Sequence, residues 1–397
     1  MKIALVCPAS LPATQFGGIV FLAVDLAREI SEMGHDVTIY TTDLDFSNSS
    51  NEFNKKLSRL EKFEKFKINR THVWISFKLF FINTSMYKQI KNDKPDIIHT
   101  IGLRSFQSIV AWRVSKKLNI PLVVSDQGGL TTHPFLTESG IGLKILYKIQ
   151  EFFIKRIITH SAAISAGNEY EEKIFKKLNK KSKIKIIRNG VNLRTLVSSF
   201  DFKKKYNVED KYVLFVGRFS KVKGIDSLIH AWNIVKNEER FSRIILVIMG
   251  VDFGYEKKME ILIKKLKLNK KIMVIKNPPR QDVISAYGES EFLVFPSQWE
   301  LSPLTPLESF EFKKPVISTN SHGIPYTVKN NQNGILIENN NIPELSKAII
   351  RLLDDKTFRE KLGIAGYNFV HEECNCISMA EKSLQLYKDI VKNNHNK

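Results

Sequence analysis

Four charged side chains stand at spacings that suit a single ligand. In VLFVGRFSKVKGIDSLIHAW a strand-like run leads into Gly217-Arg218, and Lys223-Gly224 opens the helical run that follows. Arg218 and Lys223 are therefore about one loop apart, and two cations so placed suit a diphosphate. A lysine in the first turn of a helix is disfavoured by the macrodipole, so an anionic partner there makes sense of it. In FPSQWELSPLTPLESFEFKKPVIS, Glu300 and Glu308 bracket a seven-residue turn that leads into a helix. Carboxylates accept hydrogen bonds from the vicinal hydroxyls of a sugar or ribose. The backbone N–H groups of Leu304 and Thr305, at that helix start, are placed to meet phosphate oxygens. Phe16-Gly17-Gly18 precedes the first helix, and there the missing side chains let a ligand approach N–H groups at a positive helix end.

Other patterns are turned down. Asp43-Leu44-Asp45 has the D-x-D form of metal-dependent sugar transferases, but it is remote in sequence from the cationic and acidic segments and is not taken as a metal site. There is no HExxH and no paired CxxC, and Cys374-Asn375-Cys376 reads as a lone pair within a helix. A Walker-type G-x-x-x-x-G-K-[ST] is missing, which argues against an NTPase, and the absent G-x-G-x-x-G argues against a nicotinamide cofactor. His99, read as following the strand DIIH, is expected to be structural or to lie on the acceptor side.

The elements that must hold these residues follow from periodicity. Apolar runs alternate between strand-like and helical spacing, the signature of βαβ units and a parallel sheet. Ile3 to Val6 reads as a strand, and Ile19, Leu22, Ala23, Leu26, Ala27, Ile30 and Met33 form one helical face that Gly34 ends. Val37 to Thr42 is the second strand, and further strands are expected near Ile97, Val123, Ile164 and Ile186. Helical stretches are expected at 105–118 and 141–157. A second series of strands begins after Gly190, at 213–216, 244–249, 272–275, 292–295 and 316–318. The chain thus divides into an amino-terminal domain over 1–195, a carboxyl-terminal domain over 196–375, and a helix over 376–397 that can pack back on the amino-terminal domain. Residues 43–83 read as an irregular, lysine-rich insert interrupted by the aromatic cluster WISFKLFF, a candidate surface for something apolar and anionic.

Composition agrees with a packed protein. The chain has 397 residues, 43% of them hydrophobic, with 19 glycines and 13 prolines, so disorder is excluded. Its 3 cysteines are too few for a disulfide framework and favour a reducing, cytoplasmic compartment. The start MKIALVCPASLP lacks the apolar run of an export signal. The net charge is +20, and residues 51–195 hold 28 Lys or Arg against 11 Asp or Glu. Such a surplus can draw nucleic acid, anionic lipid or phosphorylated substrates and does not choose among them.

The spacing of Glu300 and Glu308, with Pro296-Ser297 before it, resembles the E-x₇-E motif of the retaining glycosyltransferases of family 4. FGGIVFLAVDLAREISEMGHDVTIYTT is similar to that family's amino-terminal glycine-rich loop and helix. IIRNGVN is similar to its NGVD interdomain marker, with Asn192 for the aspartate, and VGRFSKVKGID to its GR…KG donor-phosphate segment. The resemblance spans nearly the whole chain. It implies an α/β, GT-B architecture: two Rossmann-like doubly wound domains facing a central cleft, the first binding the acceptor and the second the nucleotide-sugar.

It also implies roles. Arg218 and Lys223 hold the diphosphate and stabilise it as the leaving group, Glu308 binds the ribose hydroxyls, and Glu300 binds the transferred sugar. Leu304 and Thr305 join the donor site, Gly17 and Gly18 let the amino-terminal domain close on donor phosphates and acceptor, and His133, in SDQGGLTTHPF, contacts sugar or acceptor. The base is read near Asn277 to Asp282. Pro303 lacks an N–H where the family has a loop donor, and Tyr326 stands where the family often has glutamate.

The implied activity is retaining transfer of a hexose-type sugar from a UDP- or GDP-linked donor to a hydroxyl of a glycan or lipid-linked glycan. It requires no metal and no cofactor. The expected setting is cytoplasmic, peripheral on the inner face of an anionic membrane, with no specific nucleic acid as partner. The alternatives are a GT-B-like sugar-nucleotide epimerase or phosphorylase, or a non-catalytic protein that binds anionic surfaces on a decayed scaffold.

Overall fold

The structure, a computed structural model, describes residues 1–45, 52–77, 80–127 and 141–395. The chain divides into two compact units, residues 1–190 with 376–397, and residues 191–375.

The first unit begins β1 (Lys2–Val6), α1 (Gly18–Glu32), β2 (Asp36–Thr42). Next come β3 (Leu44–Asp45), β4 (Glu52–Phe53), β5 (Leu60–Phe63), β6 (Phe66–Thr71), β7 (Ile75–Phe77) and β8 (Phe80–Ile82). It continues with α2 (Ser85–Asp93), β9 (Ile97–Ile101), α3 (Phe106–Leu118), β10 (Leu122–Ser125), α4 (Ile141–His160), β11 (Ala163–Ala166), α5 (Glu169–Leu178) and β12 (Ile184–Ile186). Its sheet has the order β12-β11-β10-β9-β1-β2-β6-β5, parallel except for the β5–β6 pair.

The stretch 43–83, expected to be an irregular insert, is instead largely strand among its described residues. β6 runs parallel to β2, with Ile39 opposite Ile68, and Phe66 and Ile68 are fully buried. Lysines hide this strand in the sequence: Lys65 and Lys67 flank its first residues, yet both reach outward to Glu32 and Asp36. The aromatic cluster divides, with Trp74, Ile75 and Phe77 exposed and Phe81 in the core.

The second unit holds α6 (Phe202–Tyr206), β13 (Tyr212–Val216), α7 (Ile225–Val235), β14 (Ile245–Gly250), α8 (Glu256–Lys265), β15 (Ile272–Lys276), α9 (Arg280–Glu289) and β16 (Leu293–Phe295). α10 (Thr305–Glu311), β17 (Val316–Thr319), β18 (Gly334–Ile337), α11 (Ile342–Asp354) and α12 (Lys356–Glu373) complete it. All pairings in its sheet are parallel, in the order β15-β14-β13-β16-β17-β18. Helices cover both faces. Along β13, Val213 and Phe215 enter one apolar cluster with Leu228, Trp232 and Leu352, while Tyr212 and Leu214 enter another with Val247, Leu293 and Phe310. A strand buried on both faces reads as an unbroken apolar run, and VLFV is one.

α13 (Cys376–His395) then returns to the first unit, where Met379, Ala380, Leu384, Tyr387 and Ile390 pack into the cluster built by β1 and α1. Cys374 and Cys376 are therefore not a pair inside one helix: the first caps α12, the second opens α13, and Asn375 lies in the break.

Candidate functional site

The sheet of the second unit grows from its first strand, β13, to β14 and β15 on one side and then to β16, β17 and β18 on the other, so the strand order reverses between β13 and β16. In open parallel sheets the crevice beyond the carboxyl ends at such a switch point is where ligands bind. Arg218 and Lys223 lie just past β13, and Glu300 just past β16.

The backbone fixes both loops. Phe219 is fully buried and pairs with the loop after β14, its N–H donating to the Val251 carbonyl at 2.7 Å and its carbonyl accepting from Phe253 N–H at 3.0 Å. This anchorage turns the neighbouring Arg218 outward, with its guanidinium 4.9 Å from the Phe253 ring centre. Lys221–Lys223 forms a 3-10 turn ended by Gly224 at φ +68°, and a Cβ there would stand 2.0 Å from the Pro296 carbonyl oxygen. Glycine alone permits both that backbone angle and that approach. The two loops are joined where Gln298 N–H donates to the Val222 carbonyl at 2.8 Å.

Their side chains meet as well. The Lys223 ammonium is ion-paired with the Glu300 carboxylate, the two side chains being 12% and 15% exposed. Ser297 Oγ donates to Glu300 Oε1 at 2.9 Å, and Lys223 Nζ lies 5.1 Å from the Phe295 ring centre. Burial pulls the Lys223 pKa below the ordinary lysine value, with the nearby Arg218 acting in the same direction and Glu300 opposing both. Two cations thus crowd one carboxylate at a strand-end crevice, an arrangement that an added anion relieves.

Glu308 is held differently. It is buried in α10, and its carboxylate accepts both guanidinium arms of Arg280, at 2.5 Å and 3.2 Å, and the Tyr287 hydroxyl at 3.1 Å. Burial, with the Glu308 charge beside it, pushes the Tyr287 phenol well above its usual range, so it remains a donor. Arg280 and Tyr287 were not singled out from the sequence. Arg280 falls inside the stretch 277–282 expected to meet the base, but nothing in Pro278-Pro279-Arg280 points to a glutamate in another segment. Leu304 and Thr305 stand where expected, as the cap and first residue of α10, and the first amides of a helix have no partner within it.

The remaining expected residues lie in the first unit or outside the described residues. Gly17 caps α1 at φ +111°, a conformation that requires glycine, and Gly18 is the first helical residue. His133 lies outside the described residues. His99 does not follow a strand but sits inside β9, buried, with Nδ1 2.6 Å from the Tyr387 hydroxyl and Nε2 3.1 Å from Ser125 Oγ. Burial pushes its pKa down to about 3, so the ring is neutral near pH 7. Asp43 and Asp45 are engaged by His72 Nδ1 at 2.5 Å and Asn54 Nδ2 at 2.9 Å.

Comparison with known proteins bears on both units. Residues 16–195 match Glycosyltransferase Family 4, and residues 198–369 match Glycosyl transferases group 1. The chain is 28% identical to UDP-Gal:alpha-D-GlcNAc-diphosphoundecaprenol alpha-1,3-galactosyltransferase of Escherichia coli, over 78% of this chain and 79% of that one. It is 21% identical to N-acetyl-alpha-D-glucosaminyl L-malate synthase of Bacillus anthracis, over 100% and 99%. Among solved structures it resembles sucrose-phosphate synthase from Thermosynechococcus elongatus, with TM-score 0.81, 19% identity and 98% and 99% of the two chains covered. It also resembles Anabaena HepE in complex with UDP and glucose, with TM-score 0.75, 15% identity and 98% and 99% coverage. With two matches in order along most of its length, and with the GT-B fold, the chain belongs to glycosyltransferase family 4 and is a glycosyltransferase.

Proposed function

We propose that the protein transfers a hexose-type sugar from a UDP- or GDP-linked donor to a hydroxyl of a glycan or lipid-linked glycan, with retention at the anomeric carbon. The observation that carries this is the meeting of Lys223 with Glu300 at the switch point beside Arg218. One carboxylate that accepts from hydroxyls and two cations that attract a diphosphate match the sugar and the diphosphate that such a donor presents. Support for the uridine form comes from the relative named for UDP-Gal and from the fold neighbour solved with UDP and glucose.

In the proposed reaction the bond between the anomeric carbon and the diphosphate oxygen breaks as the acceptor oxygen attacks from the same face. The acceptor proton passes to the departing diphosphate. Arg218 and Lys223 stabilise the charge that grows on the leaving group, which is electrostatic work needing no metal. Glu300 orients the sugar through its hydroxyls, and Glu308, set by Arg280 and Tyr287, takes the ribose. Leu304 and Thr305 offer amides to the phosphates, while the amino-terminal unit binds the acceptor near Gly17 and Gly18.

The test is thermal unfolding with UDP, GDP, ADP and their hexose conjugates, repeated on Arg218→Ala and Glu308→Ala. A ligand at about 100 times its Kd adds about 2.7 kcal/mol, a rise of several degrees. A rise with one base that both variants lose supports the donor site. No rise with any nucleotide rejects it.

A further inference from the structure

α4 carries an outward face that the fold of its own unit leaves uncovered. Its inner side is buried through Ile154, Ile157 and Ile158. On the outer side Ile145, Ile149 and Phe152 are 57%, 52% and 52% exposed. They are spaced i, i+4, i+7 and so form one stripe along the helix. Lys144, Lys148 and Lys155, all exposed, run i, i+4, i+11 beside that stripe, and Arg156 lays its guanidinium 4.2 Å from the Phe152 ring centre. The one acidic residue of the helix, Glu151, has a carboxylate oxygen 3.8 Å from Arg104 Nη2. Next to the stripe an open groove of about 480 Å³ is lined by Trp112, Lys116, Phe152, Lys155, Arg156 and His160.

A row of cations edging an apolar stripe over a 20-residue helix is the pattern of a segment that lies in the plane of a bilayer surface. Among the described residues no helix is long and apolar enough to cross a membrane. We infer that the outer face of α4, with the groove beside it, docks the protein on an anionic phospholipid bilayer, sinking Ile145, Ile149 and Phe152 among the acyl chains while Lys144, Lys148, Lys155 and Arg156 meet the headgroup phosphates. Charge complementarity selects this occupant. A second copy in a two-fold contact would set the same cations against themselves, and a nucleic acid has no use for the three apolar side chains.

The test is flotation of the full-length chain with vesicles of phosphatidylcholine alone and of phosphatidylcholine mixed with phosphatidylglycerol, at low and high salt. Sedimentation without lipid runs alongside. The protein floats with the mixed vesicles and not with the neutral ones, and salt weakens the binding. Lys148→Glu combined with Lys155→Glu removes it, and each lost cation alone lowers the partition coefficient about five-fold. Ile149→Ser combined with Phe152→Ser lowers it by at least about ten-fold. The lysine pair keeps the wild-type Tm, because both side chains are exposed, and the apolar pair, whose side chains are about half covered, is floated at a temperature well below its own measured Tm. Equal flotation with both lipids, flotation with neither, or variants that float like wild type overturn the inference. Self-association in the lipid-free protein that Ile149→Ser and Phe152→Ser abolish overturns it too, in favour of a second copy. No step reads sugar transfer, so docking stands or falls separately from the donor site.

Discussion

Replacing Lys223 with methionine leaves the Glu300 carboxylate partly buried with the Ser297 hydroxyl as its remaining described donor, and replacing Glu300 with glutamine leaves the ammonium an amide oxygen but no countercharge. Each change is expected to cost about 1–3 kcal/mol, since an unpaired buried group carries its full desolvation penalty. The double variant should cost less than the sum by about 1 kcal/mol, the mark of a direct interaction, and urea unfolding of the four proteins measures it. Transfer by Lys223→Met should fall about a hundred-fold or more in kcat/KM if the ammonium stabilises the leaving group. Arg280→Gln tests a residue that the sequence did not disclose. It breaks the two-armed contact to Glu308, so nucleotide affinity measured by calorimetry should drop about ten-fold or more, with Arg280→Lys recovering only part because lysine lacks the planar fork. Lys223 and Glu300 were readable because each sits one short loop after an apolar strand. Arg280 was not, because its partner lies 28 residues on and only the fold joins them. His99 makes a prediction about pH. Its folded pKa lies below the unfolded value, so the unfolded chain binds the extra proton and stability is complete above about 6.5. It is then lost as pH falls toward about 3, at no more than about 1.4 kcal/mol per unit. His99→Gln should flatten that part of the Tm profile relative to wild type.

At the scale of elements, two glycines separate strain from collision. Gly17→Ala meets open space at φ +111° and should cost only the backbone strain, about 1–3 kcal/mol. Gly224→Ala meets the milder strain of the left-handed helical region but also the Pro296 carbonyl, 2.0 Å from the added Cβ, so it should cost more and displace Lys223. Nucleotide binding should be lost in Gly224→Ala and kept in Gly17→Ala, which calorimetry with UDP checks. Strands and helices with long periodic runs, such as β1, α1 and β13, were legible in the sequence because burial on one stripe or both faces leaves a clear pattern. β6 was not, since Lys65 before it and Lys67 within it carry their charges outward while Phe66 and Ile68 enter the core. β18 escaped too: the run GILI is only four residues and lies between the polar segments 330–333 and 338–341, which resemble loop.

Each described apolar cluster of the molecule draws its residues from one unit, and this can be measured. Tyr387 is fully buried between α13 and the core of the first unit, with its hydroxyl on His99. Tyr387→Ala should destabilise that unit by about 3–5 kcal/mol. Hydrogen exchange should rise through β1 and α1, while the UDP-induced protection of β13 and β16 in the second unit is unchanged. The alternation of strands and helices made two doubly wound units legible from the sequence. That the final helix completes the core of the first was less so, because an amphipathic helix does not say which apolar surface it covers.

That return of α13 also imposes an order on birth. The first unit lacks one wall of its core until residues 376–395 leave the ribosome, and residues 191–375 must be made in between. At roughly 5–20 residues per second, the nascent first unit waits on the order of ten seconds or more with the α1 face open. The second unit, contiguous in sequence, can close first. A chain released before Cys376 would thus carry a finished second unit and an unfinished first one, a natural mark for chaperones and proteases.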